Sequence, residues 1–291
     1  MFMPIDSIET WQHHDIITNG IRMHYVMQGE GPLIVLLHGF PEFWYSWRYQ
    51  IPMLAEHGYT VVAPDLRGYN DSDKPRTGYD VATLIRDIEG LIKGLGYERA
   101  TVVGHDWGGV LAWVFAMGYP RMTERLIVMN APHPQAMLRE LRTLKQLRKS
   151  WYMFAFQLPW LPEYLLKRNN ANEIGRMLRG AAVQKAAFAR EITAKYQEAM
   201  NKPGAMTAAL NYYRQLFRRW PQSAAKASRI AAPTLLIWGE QDIALDIALT
   251  TGLEQWVDNL QVKRIPDSGH WVQQEKPEQV NSFMLEFLQG S

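Results

Sequence analysis

The sequence has no cysteine among its 291 residues. Disulfide frameworks, thiolate metal sites and cysteine nucleophiles are excluded together, and the absence fits a reducing compartment. It carries little excess charge, and a formal +2 at pH 7 is too small to argue for nucleic acid as a partner. No apolar run reaches the ~18 residues of a membrane span. The stretch Met1 to His14, with Asp6, Glu9 and two histidines, lacks the basic patch and apolar core of a signal peptide. The expectation is a soluble, cytoplasmic protein. What is present is ordinary in amount: 47% hydrophobic and 21% charged residues, close to globular averages. A disordered chain and a collagen-like repeat are excluded. At ~150 residues per domain the length suggests about two compact units.

Short β-branched runs punctuate the first 130 residues: Leu33 to Leu37, Thr60 to Ala63, Thr101 to Val103 and Leu126 to Met129. Continuous runs of this kind suit a parallel sheet covered on both faces. Helix-length stretches lie between them, at Val81 to Leu95 and Val110 to Met117. The alternation predicts a doubly wound α/β core with a mostly parallel sheet. After Asn130 the strand pattern stops until Thr234 to Trp238 and Gln261 to Ile265. The segment between is rich in Ala, Leu, Met, Arg and Lys, with good helix formers over Gln135 to Lys149 and Gly180 to Met200. Prolines 132, 134 and 221 mark its ends. The predicted organisation is a core of residues 1–130 and 223–291, interrupted by a helical lid of residues 131–222.

Charge follows the same division, with +11 on residues 131–222 and −9 on the remainder. One reading is a basic face that meets an anionic surface, such as a membrane. The other is a solvated helix exterior attracted to an acidic core. The stretch Trp151 to Leu166, with Glu163 as its one formal charge, packs lid to core or forms a lipophilic entrance.

The strongest chemical signal is Gly104-His105-Asp106-Trp107-Gly108, entered by a strand and left by a helix. This is the spacing of the nucleophile elbow, G-x-S-x-G, with aspartate in place of serine. Its glycines serve a strained turn whose backbone passes close to neighbours. The alternative is a tight turn in which Asp106 caps the helix. Asp242 follows the strand Leu235 to Trp238, and His270 follows the strand Gln261 to Ile265. The chain order nucleophile, acid, histidine is the order expected of this elbow.

On these residues the core resembles the α/β-hydrolase superfamily. More narrowly, essentially the whole chain is similar to soluble-type epoxide hydrolases, through His38-Gly-Phe-Pro-Glu-Phe-Trp-Tyr-Ser-Trp47, Asp65-Leu-Arg-Gly-Tyr69, Gly104-His-Asp-Trp-Gly108 and Ser268-Gly-His270. The resemblance implies an oxyanion hole from the backbone N–H groups of Phe40 and Trp107. It implies two lid tyrosines aimed at the substrate, Tyr213 in Asn211-Tyr-Tyr-Arg214 and Tyr152 in Trp151-Tyr-Met-Phe-Ala-Phe-Gln157, with Tyr164 in reserve. The pocket is expected to be apolar and bordered by Trp44, Trp107, His38, Pro41 and Trp271. His38 is expected to pin its turn by hydrogen bonding.

An aspartate nucleophile changes the reaction. A carboxylate is already ionised at pH 7 and needs no base for its first attack. Attack on an ester would yield a reactive anhydride, whereas attack on a saturated carbon yields an ordinary ester that water can later cleave. Epoxides and alkyl halides are substrates of that kind. An epoxide oxygen leaves as an alkoxide and wants a proton, which two phenols supply. A haloalkane or haloacetate dehalogenase is the alternative on this scaffold. Phe40 stands where the haloalkane enzymes commonly have a polar residue, and Trp107 where the haloacetate enzymes carry arginine. A non-catalytic small-ligand-binding protein is the alternative of another class. No metal or organic cofactor is required, and histidines 13, 14, 24, 57, 105 and 133 form no obvious metal set. The expected partners are a small apolar epoxide and water, in a monomer or a homodimer.

Overall fold

The computed structural model of the chain describes residues 11–224 and 228–290, with the side chains of 217–224 outside the described set. It contains an eight-stranded sheet of order β1-β2-β4-β3-β5-β6-β7-β8. The strands are β1 (Gln12–Thr18), β2 (Ile21–Gln28), β3 (Leu33–Leu37), β4 (Thr60–Pro64), β5 (Ala100–His105), β6 (Thr123–Met129), β7 (Thr234–Gly239) and β8 (Leu260–Ile265). From β4 across to β8 all pairings are parallel, while β1–β2 and β2–β4 are antiparallel.

The six parallel strands lie where the β-branched runs predict them. Every residue of β3, β4, β5 and β7 is buried, as a sheet covered on both faces requires. The hairpin β1–β2 is the addition the sequence reading lacks. Thr18 pairs with Ile21 across Asn19 and Gly20, both at positive φ, the conformation of a type I′ turn.

The helices of the core are α1 (Gln50–Glu56), α2 (Val81–Gly94) and α3 (Trp107–Gly118). Asp80 caps α2 by accepting from the Thr83 N–H. Helix α3 is apolar nearly all round and largely buried, because it packs behind the middle of the sheet. Two helices close the chain, α10 (Val272–Glu275) and α11 (Pro277–Gln289).

Between β6 and β7 run α4 (Pro134–Glu140), α5 (Leu144–Lys149), α6 (Trp151–Ala155), α7 (Leu161–Ala181), α8 (Arg190–Asn201) and α9 (Ala205–Ala224). The helix-forming stretch Gln135 to Lys149 folds as two helices. It breaks at Leu141–Thr143, where the Thr143 hydroxyl caps α5. The helix-forming stretch Gly180 to Met200 likewise holds the end of α7 and nearly all of α8. Within α7 the backbone leaves helical geometry at residues 168–171. Pro221, expected to mark the junction, lies among the residues whose side chains are outside the described set. Among the described residues no helix is long and apolar enough to cross a membrane.

Candidate active site

The turn from β5 into α3 places Asp106 at φ 48°, ψ −119°. A non-glycine residue held there stores roughly 1–3 kcal/mol of strain, a cost that concentrates at functional sites. The residues two positions to either side of it must be glycine. A Cβ at Gly104 would collide with the backbone of Gly108, and a Cβ at Gly108 with the carbonyl of Leu37. The side chain of Asp106 makes no capping bond to α3, so the helix-cap alternative does not hold. Instead Oδ2 accepts from the backbone N–H of Phe40 at 3.3 Å, and Oδ1 lies 3.9 Å from Nε2 of His270. The N-terminus of α3, beginning at Trp107, adds a positive dipole end beside the carboxylate. Burial pushes the Asp106 carboxyl up, and His270 and His105 offset only part of that.

His270 is held from the other side. Its Nδ1 bonds Oδ2 of Asp242 at 2.7 Å. Asp242 also accepts from Asn130 Nδ2 at 2.8 Å and from the backbone N–H groups of Ala244 and Leu245 at 2.7 and 2.9 Å. Burial alone would raise the Asp242 carboxyl, but His270 and these donors hold it below its ordinary value. Burial pushes the imidazolium of His270 down. Asp242, and then Asp106, outweigh it and hold the ring up to about 9. His270 thus sits between the carboxyl groups of Asp242 and Asp106, and the charge of each favours its protonated form.

Three loops meet at Glu42, a residue the sequence reading passed over. Its Oε2 accepts from Gly39 N–H at 3.0 Å and bonds His105 Nδ1 at 2.7 Å. Its Oε1 accepts from Gln273 and Gln274 at 3.1 and 2.7 Å. The other ring nitrogen of His105 bonds the backbone carbonyl of His270 at 2.8 Å. Burial would raise the Glu42 carboxyl, but His105 and the Gly39 N–H keep it below its ordinary value. The Phe40 turn, the elbow and the histidine loop are thus tied through one carboxylate. Asn130 is the other missed residue. It stands at the end of β6 at φ 38°, bonding both Asp242 and the backbone of Gly239. Its position at the carboxyl edge of a parallel strand is a readable signal.

Two adjoining cavities open on Asp106. One, of about 210 Å³, is lined by residues including Phe40, Tyr152, Phe156, Tyr213, His270 and Trp271. The other, of about 50 Å³, is lined by Trp107, Val110, Met137, Met153 and Leu216 among others, again with Tyr152 and Tyr213. The two tyrosine rings stand 5.9 Å apart, nearly perpendicular. Burial first, and then the charge of Asp106, push both hydroxyls well above their ordinary value, so both are protonated donors. Tyr212, the neighbour of Tyr213, turns the other way and donates to the carbonyl of Arg67 at 2.8 Å. Tyr164 is 62% exposed and lines neither cavity.

Trp107 and Trp271 border the cavities, but His38, Pro41 and Trp44 do not. Trp44 turns away to pack on Trp11, His13 and Phe43, because the strand β1 supplies an aromatic partner that the sequence reading did not place. His38 is fully buried. One ring nitrogen bonds the carbonyl of Gly39 and the other accepts from Leu66 N–H, which fixes the turn. His24, Asp65 and Asp71 bring ligand-type atoms together. Asp65 Oδ2 there already receives His24, Asn70 and the Asp71 N–H.

Comparison with known proteins agrees with this geometry. Residues 32–277 match the family described as alpha/beta hydrolase fold. The chain is 44% identical to epoxide hydrolase 3 of Xenopus tropicalis over 93% of this chain and 75% of that protein. It is also 44% identical to the AB hydrolase superfamily protein YfhM of Bacillus subtilis, over 94% and 96%. Among solved structures, a variant of a Bacillus megaterium epoxide hydrolase, complexed with its product (R)-3-[1]naphthyloxy-propane-1,2-diol, superposes with a TM-score of 0.88. It is 36% identical and covers 95% of this chain and 100% of that one. The chain belongs to the alpha/beta hydrolase fold family and, within it, to the epoxide hydrolases.

Proposed function

We propose that the protein converts epoxides to vicinal diols in two covalent steps on Asp106, with residues 131–222 acting as the lid. In the first step Oδ1, the oxygen not engaged by Phe40, attacks a ring carbon. The carbon–oxygen bond of the ring breaks, an ester forms, and the departing alkoxide takes a proton from Tyr152 or Tyr213. Both phenols are kept protonated by burial and by the charge of Asp106, so they serve as acids and not as bases.

Ester formation erases the charge of Asp106. One of the two carboxylates holding His270 protonated is then gone, and the imidazole releases its proton, which restores the tyrosine. Neutral His270, its tautomer set by Asp242, takes a proton from water as that water adds to the ester carbon. Oδ2, already facing the Phe40 N–H at 3.3 Å, becomes the oxyanion, with the Trp107 N–H as second donor. Collapse releases the diol oxygen, which leaves with the proton from His270; Asp106 is left bearing the proton of the added hydroxyl and passes it to His270, which restores the starting state. One water is added overall.

The observation that carries this reading is the pair of phenols, Tyr213 buried and Tyr152 half-buried, that line both cavities beside a carboxylate nucleophile. A halide leaves without needing a proton, and Phe40 offers no side-chain donor for it. A protein that only bound a ligand would have no use for nucleophile, base and acids together. The larger cavity is apolar and suits one bulky substituent, with a small one toward the 50 Å³ cavity.

Trapping tests the route. His270→Gln keeps the nucleophile but removes the base. After addition of styrene oxide, its intact mass is expected to rise by the substrate mass, with the adduct mapped to Asp106. An adduct on another residue, or none while the wild type turns the epoxide over, refutes it.

A further inference from the structure

Eleven large apolar side chains stand exposed among the described residues, and eight of them fall between Leu144 and Leu165. Leu144, Trp151, Trp160 and Tyr164 are each more than 60% exposed, with Leu158 and Leu165 at 50% and 42%. Scattered apolar residues need no explanation, but a concentrated patch does. This one borders the mouth of the 210 Å³ cavity, whose lining includes Lys149, Trp151 and Ile243, the last 60% exposed. Its base is fixed. Arg214 bonds the carbonyls of Phe156 and Leu158 and pairs with Glu163, while Gln146 and Lys149 tie α5 to the carbonyls of Ala244, Asp242 and Leu245.

Charge around the patch is predominantly positive. Residues 141–168 carry six Lys and Arg against the single acid Glu163, which Arg214 neutralises. Lys145 and Lys149 face Asp246, and Arg142, Arg148, Lys167 and Arg168 are exposed. We propose that this face docks on an anionic lipid surface, so that lipophilic substrates enter the cavity from the membrane. Aromatic and aliphatic side chains rimmed by bases are the composition of an interfacial anchor. A second copy of the chain fits less well, since two such faces would bring like charges together. The proposal goes beyond the hydrolase reading, and its test needs no turnover.

Flotation of the whole protein with vesicles made of equal parts phosphatidylcholine and phosphatidylglycerol is the experiment. Binding is expected at low salt, with release at high salt and little binding to phosphatidylcholine alone. Arg148→Gln with Lys167→Gln is expected to lower partition about 30-fold, at roughly fivefold per charge. Leu158→Ser with Leu165→Ser is expected to lower it as well, and to reduce quenching of tryptophan fluorescence by brominated lipid. Turnover of a water-soluble epoxide is expected to stay unchanged in both. Absence of flotation with the anionic vesicles overturns the proposal. So does binding indifferent to salt and to both pairs, or a dimer that the serine pair disperses without any vesicle binding. The salt and lipid dependence of the wild type decides the matter even if a variant fails to fold.

Discussion

Replacing Asp106 with asparagine imitates, in charge and shape, what ester formation does to the site. The wild-type His270 is held up to about 9 against an ordinary 6.5, with Asp242 the larger support and Asp106 the next. Its Nε2 lies 3.9 Å from Oδ1 of Asp106. Two opposite unit charges at that separation attract by about 4 kcal/mol at an effective dielectric of 20, and each 1.36 kcal/mol is one pH unit of titration. Burial stays in place and keeps pushing the ring down, while Asp242 keeps pulling it up. Asp106→Asn is therefore expected to lower the titration midpoint of His270 by about 1–3 pH units. The assay is imidazole NMR over pH 5–10, comparing Asp106→Asn with wild type. Such a drop would mean that the covalent intermediate creates its own base. A midpoint that does not move would refute the coupling, and with it the step that hands a proton from His270 back to tyrosine.

Three further outcomes are expected. Tyr152→Phe with Tyr213→Phe should slow ring opening by about 10²–10⁴ in rapid-mixing fluorescence, with the melting temperature little changed; normal single-turnover rates would remove the phenols from the chemistry. Gly108→Ala forces a Cβ against the carbonyl of Leu37 and should cost about 1–3 kcal/mol in urea unfolding as well as adduct formation, so an unstrained, active variant would contradict the elbow geometry. The raised His270 contributes stability that is complete below pH 6.5 and lost as pH rises through about 9. The stability difference between wild type and His270→Gln should shrink across that window by about 3 kcal/mol, and parallel curves would contradict it.

Much of this was legible because it is local. The glycines around Asp106 stand within two residues of it, and the buried strands are continuous apolar runs of the kind a sheet covered on both faces requires. The Asn19-Gly20 turn was legible too, but the alternation in β1 is weak, with Gln12 and His13 exposed and only Thr18 buried. The remainder was hidden for a physical reason. Asn130 serves a partner 112 positions away, and Glu42 one 231 positions away; no spacing rule spans such distances. The aromatic run from Phe43 to Trp47 reads equally well as pocket or core. Its direction is settled by β1, against which Trp44 packs. In the helical insertion, propensity alone does not locate the break at residues 141–143 or the stretch between α6 and α7.

The carboxylate of Glu42 has a consequence for how such a protein can change. By holding the turn at Gly39, the elbow through His105 and the α10 glutamines at once, it makes the reactive half of the molecule a rigid anvil fastened to the sheet. On the proposed mechanism the helical insertion contributes the two phenols and much of the cavity wall. Substrate preference can therefore drift through the insertion while the cutting machinery stays in register, and the same anvil can serve many different guests.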